Sequence, residues 1–166
     1  MDYNIIQMNE NTWRIEDGGV RFFLLTGTEK ALLIDSGMMI QNAKEIAESL
    51  TDLPIELLNT HADRDHICSN EEFASFYMHP AEEPLYRRSG KPGTIIPVQE
   101  GDTIDLVPGR ELPYIVAHGM DATGKVAHNH IAHIGLQHTL GGVGGHEFAQ
   151  GADDGVLHLL PVAGGW

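Results

Sequence analysis

The chain has 166 residues, 24 acidic against 10 basic side chains, a net charge of −14, 42% hydrophobic content and one cysteine. That length and apolar content suit one domain with its own core, and the acidic balance argues against nucleic acid or an anionic membrane as partner. The lone Cys68 excludes an internal disulfide, no apolar run reaches membrane-spanning length, and Met1-Asp2-Tyr3-Asn4 lacks a basic-then-apolar leader, so a cytoplasmic location is the expectation.

The first 37 residues read as consecutive strands, Ile5–Met8, Thr12–Ile15, Val20–Leu25 and Ala31–Ile34. Between them stand Asn9-Glu10-Asn11, Asp17-Gly18-Gly19 and Gly27-Thr28-Glu29, residues that favour turns. Asp35-Ser36-Gly37 closes the last strand, with glycine free to make a tight turn. Asn42–Leu50 places Ala43, Ile46, Ala47 and Leu50 at helical spacing, and Leu53-Pro54 ends that helix. Ile55–Leu58 is a short apolar strand. Asp65 or Ser69 is placed to cap a helix through Glu71–Ala74. Phe76–Met78 follows as a short strand and Ala81–Arg88 as a helical turn or two. Strands and helices in this order suit a sheet covered by helices on one face.

The segment Asn59-Thr60-His61-Ala62-Asp63-Arg64-Asp65-His66 carries the most chemical information. His61, Asp63, Asp65 and His66 form the pattern H-x-D-x-D-H at the end of a strand, where a rigid base can project several side chains into one loop. Neutral imidazole and hard carboxylate oxygen together suit Zn²⁺, Fe or Mn²⁺. Any one of these residues alone would read as part of a polar loop; four in six positions read as a metal site. Cys68, two residues on, reads as a small buried thiol in the following helix rather than a soft ligand.

With these residues the sequence resembles the metallo-β-lactamase-fold hydrolases, whose motif is T-H-x-H-x-D-H. Thr60, His61, Asp65 and His66 match it, and Asp63 stands where the pattern has a second histidine. Upstream, Trp13-Arg14-Ile15, Phe22–Gly27 and Ala31–Gly37 follow the family's order, as do Met78–Glu83 and Gly101–Leu106 downstream, so the resemblance spans about residues 4–117. It implies an α/β fold, the αββα sandwich of the metallo-β-lactamase type, and a bound divalent metal, zinc first with Fe or Mn open. A complete site would hold two ions, His61 and Asp63 on the first, Asp65 and His66 on the second, with Asp65 also orienting the attacking water as the catalytic group. Asp35 would lie beneath the ligands and orient them; read from the residues alone, it serves equally well as a cap for the next helix. The family's chemistry is attack of a metal-activated water on esters, thioesters, lactams, lactones or phosphodiesters.

Beyond about residue 117 the character of the chain changes. Seven of the ten histidines and eleven of the 19 glycines lie in the last 49 residues, with Lys125 the sole lysine or arginine there. The resemblance would require P-G-H-T-P-G and then an apolar strand ending in Gly-Asp. Instead the chain reads Val116-Ala117-His118-Gly119-Met120-Asp121, with Met120 at the expected histidine and His118 the near substitute. Two readings stay open: a divergent second half that draws ligands from His118, from His128, His130 and His133, or from Asp153 and Asp154; or an altered extension foreign to the fold. The loss of lysine and aromatics fits the extension better. His128-Asn129-His130-Ile131-Ala132-His133 by itself reads as an adventitious metal binder. The expected organisation is therefore a metallo-β-lactamase-like half over 1–117 and a divergent His/Gly-rich part of the same domain over 118–166.

These observations together predict a metallo-hydrolase acting on a small-molecule substrate. The competing expectation is a catalytically impaired or inactive metal-binding relative whose second half cannot complete the site. An incomplete sandwich would also expose an apolar sheet face and favour a homodimer.

Overall fold

The computed structural model describes the backbone of residues 3–99, 102–107, 110–120, 126–136, 146–150 and 157–161, and side chains within 3–99 and 102–106. The chain opens with an antiparallel meander, β1 (Tyr3–Asn9), β2 (Thr12–Asp17), β3 (Val20–Thr26) and β4 (Ala31–Ile34). It then turns parallel through β5 (Ile55–Leu58), β6 (Ser75–Met78) and β7 (Thr94–Pro97), giving a seven-stranded sheet in sequential order. Helix α1 (Ala43–Glu48) connects β4 to β5, and α2 (Glu83–Ser89) connects β6 to β7. Parallel neighbours need such crossovers, which return the chain to the same end of the sheet. A second, five-stranded antiparallel sheet contains β8 (Thr103–Val107), β9 (Arg110–Met120), β10 (Val126–Leu136), β11 (His146–Gln150) and β12 (Leu157–Pro161) in order.

The uninterrupted apolar runs of β3 and β4 follow from burial on both faces. Phe22, Leu24, Ala31 and Leu33 point into one core with Leu57, Phe76, Met78, three α1 residues (Ala43, Ile46, Ala47) and Tyr86 of α2. Their neighbours Phe23, Leu25, Leu32, Ile34 and Leu58 point the other way, against Val98 and the β8 residues Ile104 and Leu106. Helices therefore cover one face of the first sheet and β8 brings the second sheet to the other, the helix–sheet–sheet order of the expected sandwich. Gly27 makes the second contact as close as it is, because a Cβ there would lie 1.9 Å from the Leu106 carbonyl oxygen. Among the described residues no helix is long and apolar enough to cross a membrane.

Two local expectations are corrected. The helix placed at Glu71–Ala74 is a single 3₁₀ turn, Asn70–Glu72, without a side-chain cap from Ser69. Ser69 is used elsewhere. Its Oγ donates to the Ile40 carbonyl and accepts from the Ala43 amide, while Glu72 accepts from the Lys44 amide, so the first turn of α1 is capped from a distant segment. Cys68, expected inside that helix and buried, lies in the loop before the turn and is partly exposed.

Candidate metal centre

Asp35 directly follows β4, and Asn59-Thr60-His61 directly follow β5, so the site forms at the carboxyl ends of two adjacent parallel strands. Chain reversals concentrate there, and loops can converge over the sheet edge. Asp35 is buried and adopts a left-handed backbone with φ 64°, one that aspartate tolerates better than most side chains. Its Oδ1 accepts the Thr60 amide at 2.8 Å, and its Oδ2 accepts the Thr60 hydroxyl at 2.8 Å and faces His66 Nδ1 at 2.8 Å. The Thr60 hydroxyl also sits 2.8 Å from His61 Nδ1. One carboxylate thus touches one histidine directly and the other through a hydroxyl.

That arrangement determines where the protons lie. A carboxylate accepts only, and a hydroxyl has one proton to give. Thr60 gives its proton to Asp35, so toward His61 it must accept, and His61 carries its proton on Nδ1. His66 likewise donates from Nδ1 to Asp35. In the neutral state both rings therefore present a bare Nε2 lone pair, the form a metal needs.

The loop beyond is pinned at its backbone. His66 donates its amide to the Asp63 carbonyl at 3.0 Å, closing a tight turn. The His66 carbonyl accepts from the Ser36 amide and the Asn59 side-chain amide. Asn70 locks that group from behind, donating to Asn59 Oδ1 at 2.7 Å and accepting from Ser36 Oγ at 2.7 Å. All three side chains are buried, so the loop stands on a satisfied polar platform rather than on apolar packing. Asp17 anchors the adjoining loop, its Oδ2 accepting the amides of Met38, Met39 and Ile40 at 2.7, 2.7 and 3.1 Å.

His61, Asp65 and His66 each bring one donor atom into a group whose members lie within 4.8 Å of one another. The two imidazole rings are 4.0 Å apart between centroids. Asp63 stays outside that group and half-exposed, with its Oδ2 3.6 Å from His61 Nε2. Asp65 Oδ2 lies 3.5 Å from His66 Nε2. The structure therefore brings one member of the first expected ligand pair together with both members of the second. His118 belongs to β9, where its backbone pairs with His130 of β10; its side chain lies outside the described residues. The side chains of Met120, His128, His130, His133, His146 and His158 likewise lie outside the described residues, while His138, Asp153 and Asp154 lie outside them altogether.

A divalent cation fits this donor set. A bare Nε2 facing a carboxylate oxygen is an acceptor facing an acceptor, which a cation between them relieves. Two donors bound 2.0–2.1 Å from one zinc ion lie at most about 4.2 Å apart, so the three groups need only a small inward rotation. The titration behaviour follows from the same charges. Burial works to raise the carboxyl of Asp35, but the attraction of His66 and its hydrogen bond outweigh it and hold the group below its ordinary value of 3.8. Burial works to lower His66, yet Asp35, with Asp65 and Asp63 behind it, holds the ring above 6.5. Burial and the neighbouring His66 push His61 below 6.5.

The family model of the metallo-beta-lactamase superfamily matches residues 15–134. The chain belongs to that superfamily. No curated protein matches it. Among solved structures, the metallo-beta-lactamase from Pontibacter korlensis superposes with a TM-score of 0.64 at 15% identity, covering 80% of this chain and 67% of that one. The subclass B3 metallo-beta-lactamase BJP-1 of Bradyrhizobium japonicum gives 0.58 at 17%, covering 86% and 60%. A Cronobacter sakazakii metallo-beta-lactamase gives 0.61 at 18%, covering 80% and 54%. At such identities the likeness is one of fold, and the chain spans 54–67% of the length of these three neighbours. Its α/β architecture is the metallo-β-lactamase fold. The matched span begins and ends later than the stretch of about 4–117 that carried the resemblance, taking in β9 and most of β10.

His61, Asp63, Asp65, His66 and Asp35 stand out in the sequence, whereas Ser36, Asn70 and Glu82 carry no role there and Ser69 reads only as a helix cap. Polar residues in loops and turns are too common to carry a signal by themselves. What identifies these four is their burial, which only the fold reveals.

Proposed function

We propose that the protein is a metal-dependent hydrolase whose divalent ion, zinc first with Fe or Mn as alternatives, is held by His61, Asp65 and His66. Asp63 would add a further carboxylate, and His118 is the candidate from the second half. The observation that carries the reading is the double lock on the imidazoles, with His66 Nδ1 on Asp35 and His61 Nδ1 on the Thr60 hydroxyl. Both Nε2 atoms are thereby committed as donors beside the Asp65 carboxylate. A metal bound there would supply a Lewis acid that lowers the pKa of a water and polarises the substrate oxygen that gains charge. Asp65, partly exposed and 3.5 Å from His66 Nε2, would accept the water's proton and orient it. The substrate would be a small-molecule ester, thioester, lactone or phosphodiester, and the protein cytoplasmic.

Elemental analysis of protein purified without added metal, beside His61→Ala, tests this. The parent should retain a divalent ion that the variant loses. Equal metal content in both would remove His61 from the site. Asp63→His should raise zinc occupancy, because it exchanges a hard oxygen for imidazole; unchanged metal preference would show that Asp63 is not a ligand.

The sequence favours weak turnover as a second reading, because Met120 stands at the expected third histidine and a thioether is a poor zinc ligand. Too few ligands leave the water misplaced, and small misplacements alone cost on the order of 100-fold in rate. Robust metal-dependent turnover, abolished by His61→Ala, would overturn this impaired form and assign ligands to the second half.

A further inference from the structure

Glu82 closes the 3₁₀ turn Pro80–Glu82 between β6 and α2 and is 2% exposed. A buried carboxylate is costly unless it is hydrogen-bonded, and this one reaches sideways to the metal loop. Its Oε2 accepts the Ala62 amide at 3.0 Å. Ala62 lies between His61 and Asp63 in a stretch without helix or strand, so its amide has no ladder partner. That amide shares a peptide plane with the His61 carbonyl. Fixing it fixes the backbone rotation that, with the ring's bond to Thr60, determines where His61 aims its Nε2. His61 is held at two points: its ring by Thr60 and its following peptide by Glu82.

We propose that Glu82 is a positioning residue for the metal loop, clamping the His61–Ala62 peptide so that the imidazole meets the ion. The role rests on the metal-site reading above. Asp35 and Thr60 fix the proton on each ring, whereas Glu82 fixes the direction of one ring. The clamp requires an acceptor oxygen rather than a negative charge, so glutamine should replace glutamate and methionine, of similar length but without an oxygen, should not.

Cobalt titration of the full chain, followed by its visible absorption bands, tests the role. Glu82→Met should weaken Co²⁺ binding by about 10- to 100-fold and alter the bands, as expected when a partner that orients a ligand is lost. Glu82→Gln should restore the affinity and the spectrum. Exchange of the Ala62 amide, an independent readout in metal-free protein, should be slow in the parent and in Glu82→Gln and fast in Glu82→Met. Equal cobalt affinity in the parent and Glu82→Met would overturn the positioning role alone. Glu82→Gln binding as weakly as Glu82→Met, with its Ala62 amide still protected, would assign the effect to charge and overturn the clamp. No cobalt binding by the parent would refute the metal site, and this role with it.

Discussion

Replacing Asp35 by asparagine changes one atom and should reverse the polarity of the whole histidine system. Asparagine tolerates the left-handed backbone at φ 64°, and its carbonyl can take over Oδ1 to accept the Thr60 amide. The amide nitrogen then occupies the place of Oδ2, facing Thr60 Oγ1 and His66 Nδ1. Two donors replace one acceptor. His66 must present a lone pair at Nδ1 and move its proton to Nε2. The Thr60 hydroxyl, now accepting, turns its own proton toward His61 Nδ1 and drives that ring to the same tautomer. Both metal-facing nitrogens become occupied. Loss of a partner that orients a ligand typically costs 10- to 100-fold in metal affinity. With two rings affected, we expect the upper end, about 100-fold or ~2.7 kcal/mol. The fold should lose only about 1–2 kcal/mol, because the hydrogen bonds persist in weaker, neutral form. Nitrogen-15 NMR of the two rings in chelator-treated protein reads the tautomers directly, and a competitive zinc titration reads the affinity. Asp35→Asn that keeps both protons on Nδ1, or binds zinc like the parent, would refute the proton assignment.

In chelator-treated protein His66 should titrate above 6.5 and His61 below it. A histidine whose folded pKa is raised stabilises fully below its unfolded value and loses that contribution as pH rises through the folded one. The stability gap between the parent and His66→Gln should therefore be widest below pH 6.5 and close with rising pH; a gap that widened would reverse the sign and exclude the Asp35–His66 pair. Asp17→Ala leaves three backbone amides of Met38–Ile40 without their acceptor and should lower unfolding free energy in urea by about 2–4 kcal/mol. A loss under about 1 kcal/mol would mean that water takes the carboxylate's place. Limited proteolysis with mass analysis should leave a resistant fragment ending near Ala117, if residues 118–166 are foreign to the core. A single protected species of full length would place that tail inside the fold.

The order of strands and helices was legible because periodicity and turn chemistry are local. Ile5–Met8, Thr12–Ile15, Val20–Leu25 and Ala31–Ile34 lie within β1 to β4, and Ala43, Ile46 and Ala47 mark the buried face of α1. The helix expected at Glu71–Ala74 failed for a tertiary reason. Ser69, read as a cap, and Glu72, read inside that helix, have their side chains committed to the Ala43 and Lys44 amides of α1, and the chain turns into β6 instead. The short strand β7 was not foreseen. Its four residues include Pro97 and alternate too little to stand apart from loop.

What the sequence determined by itself is the donor inventory. His61, Asp65 and His66 occur within six residues at the end of an apolar strand, and side chains so close along the chain must share one region of space whatever the remainder does. Tertiary structure decided how those donors are prepared. Asp35 comes from the neighbouring strand, Glu82 from the turn after β6, and Asn70 from beyond the loop. None of these lies at a fixed spacing from the histidines. Sheet pairing between β4, β5 and β6 brings them within hydrogen-bonding distance, and a hydrogen bond depends on ångströms rather than on sequence separation.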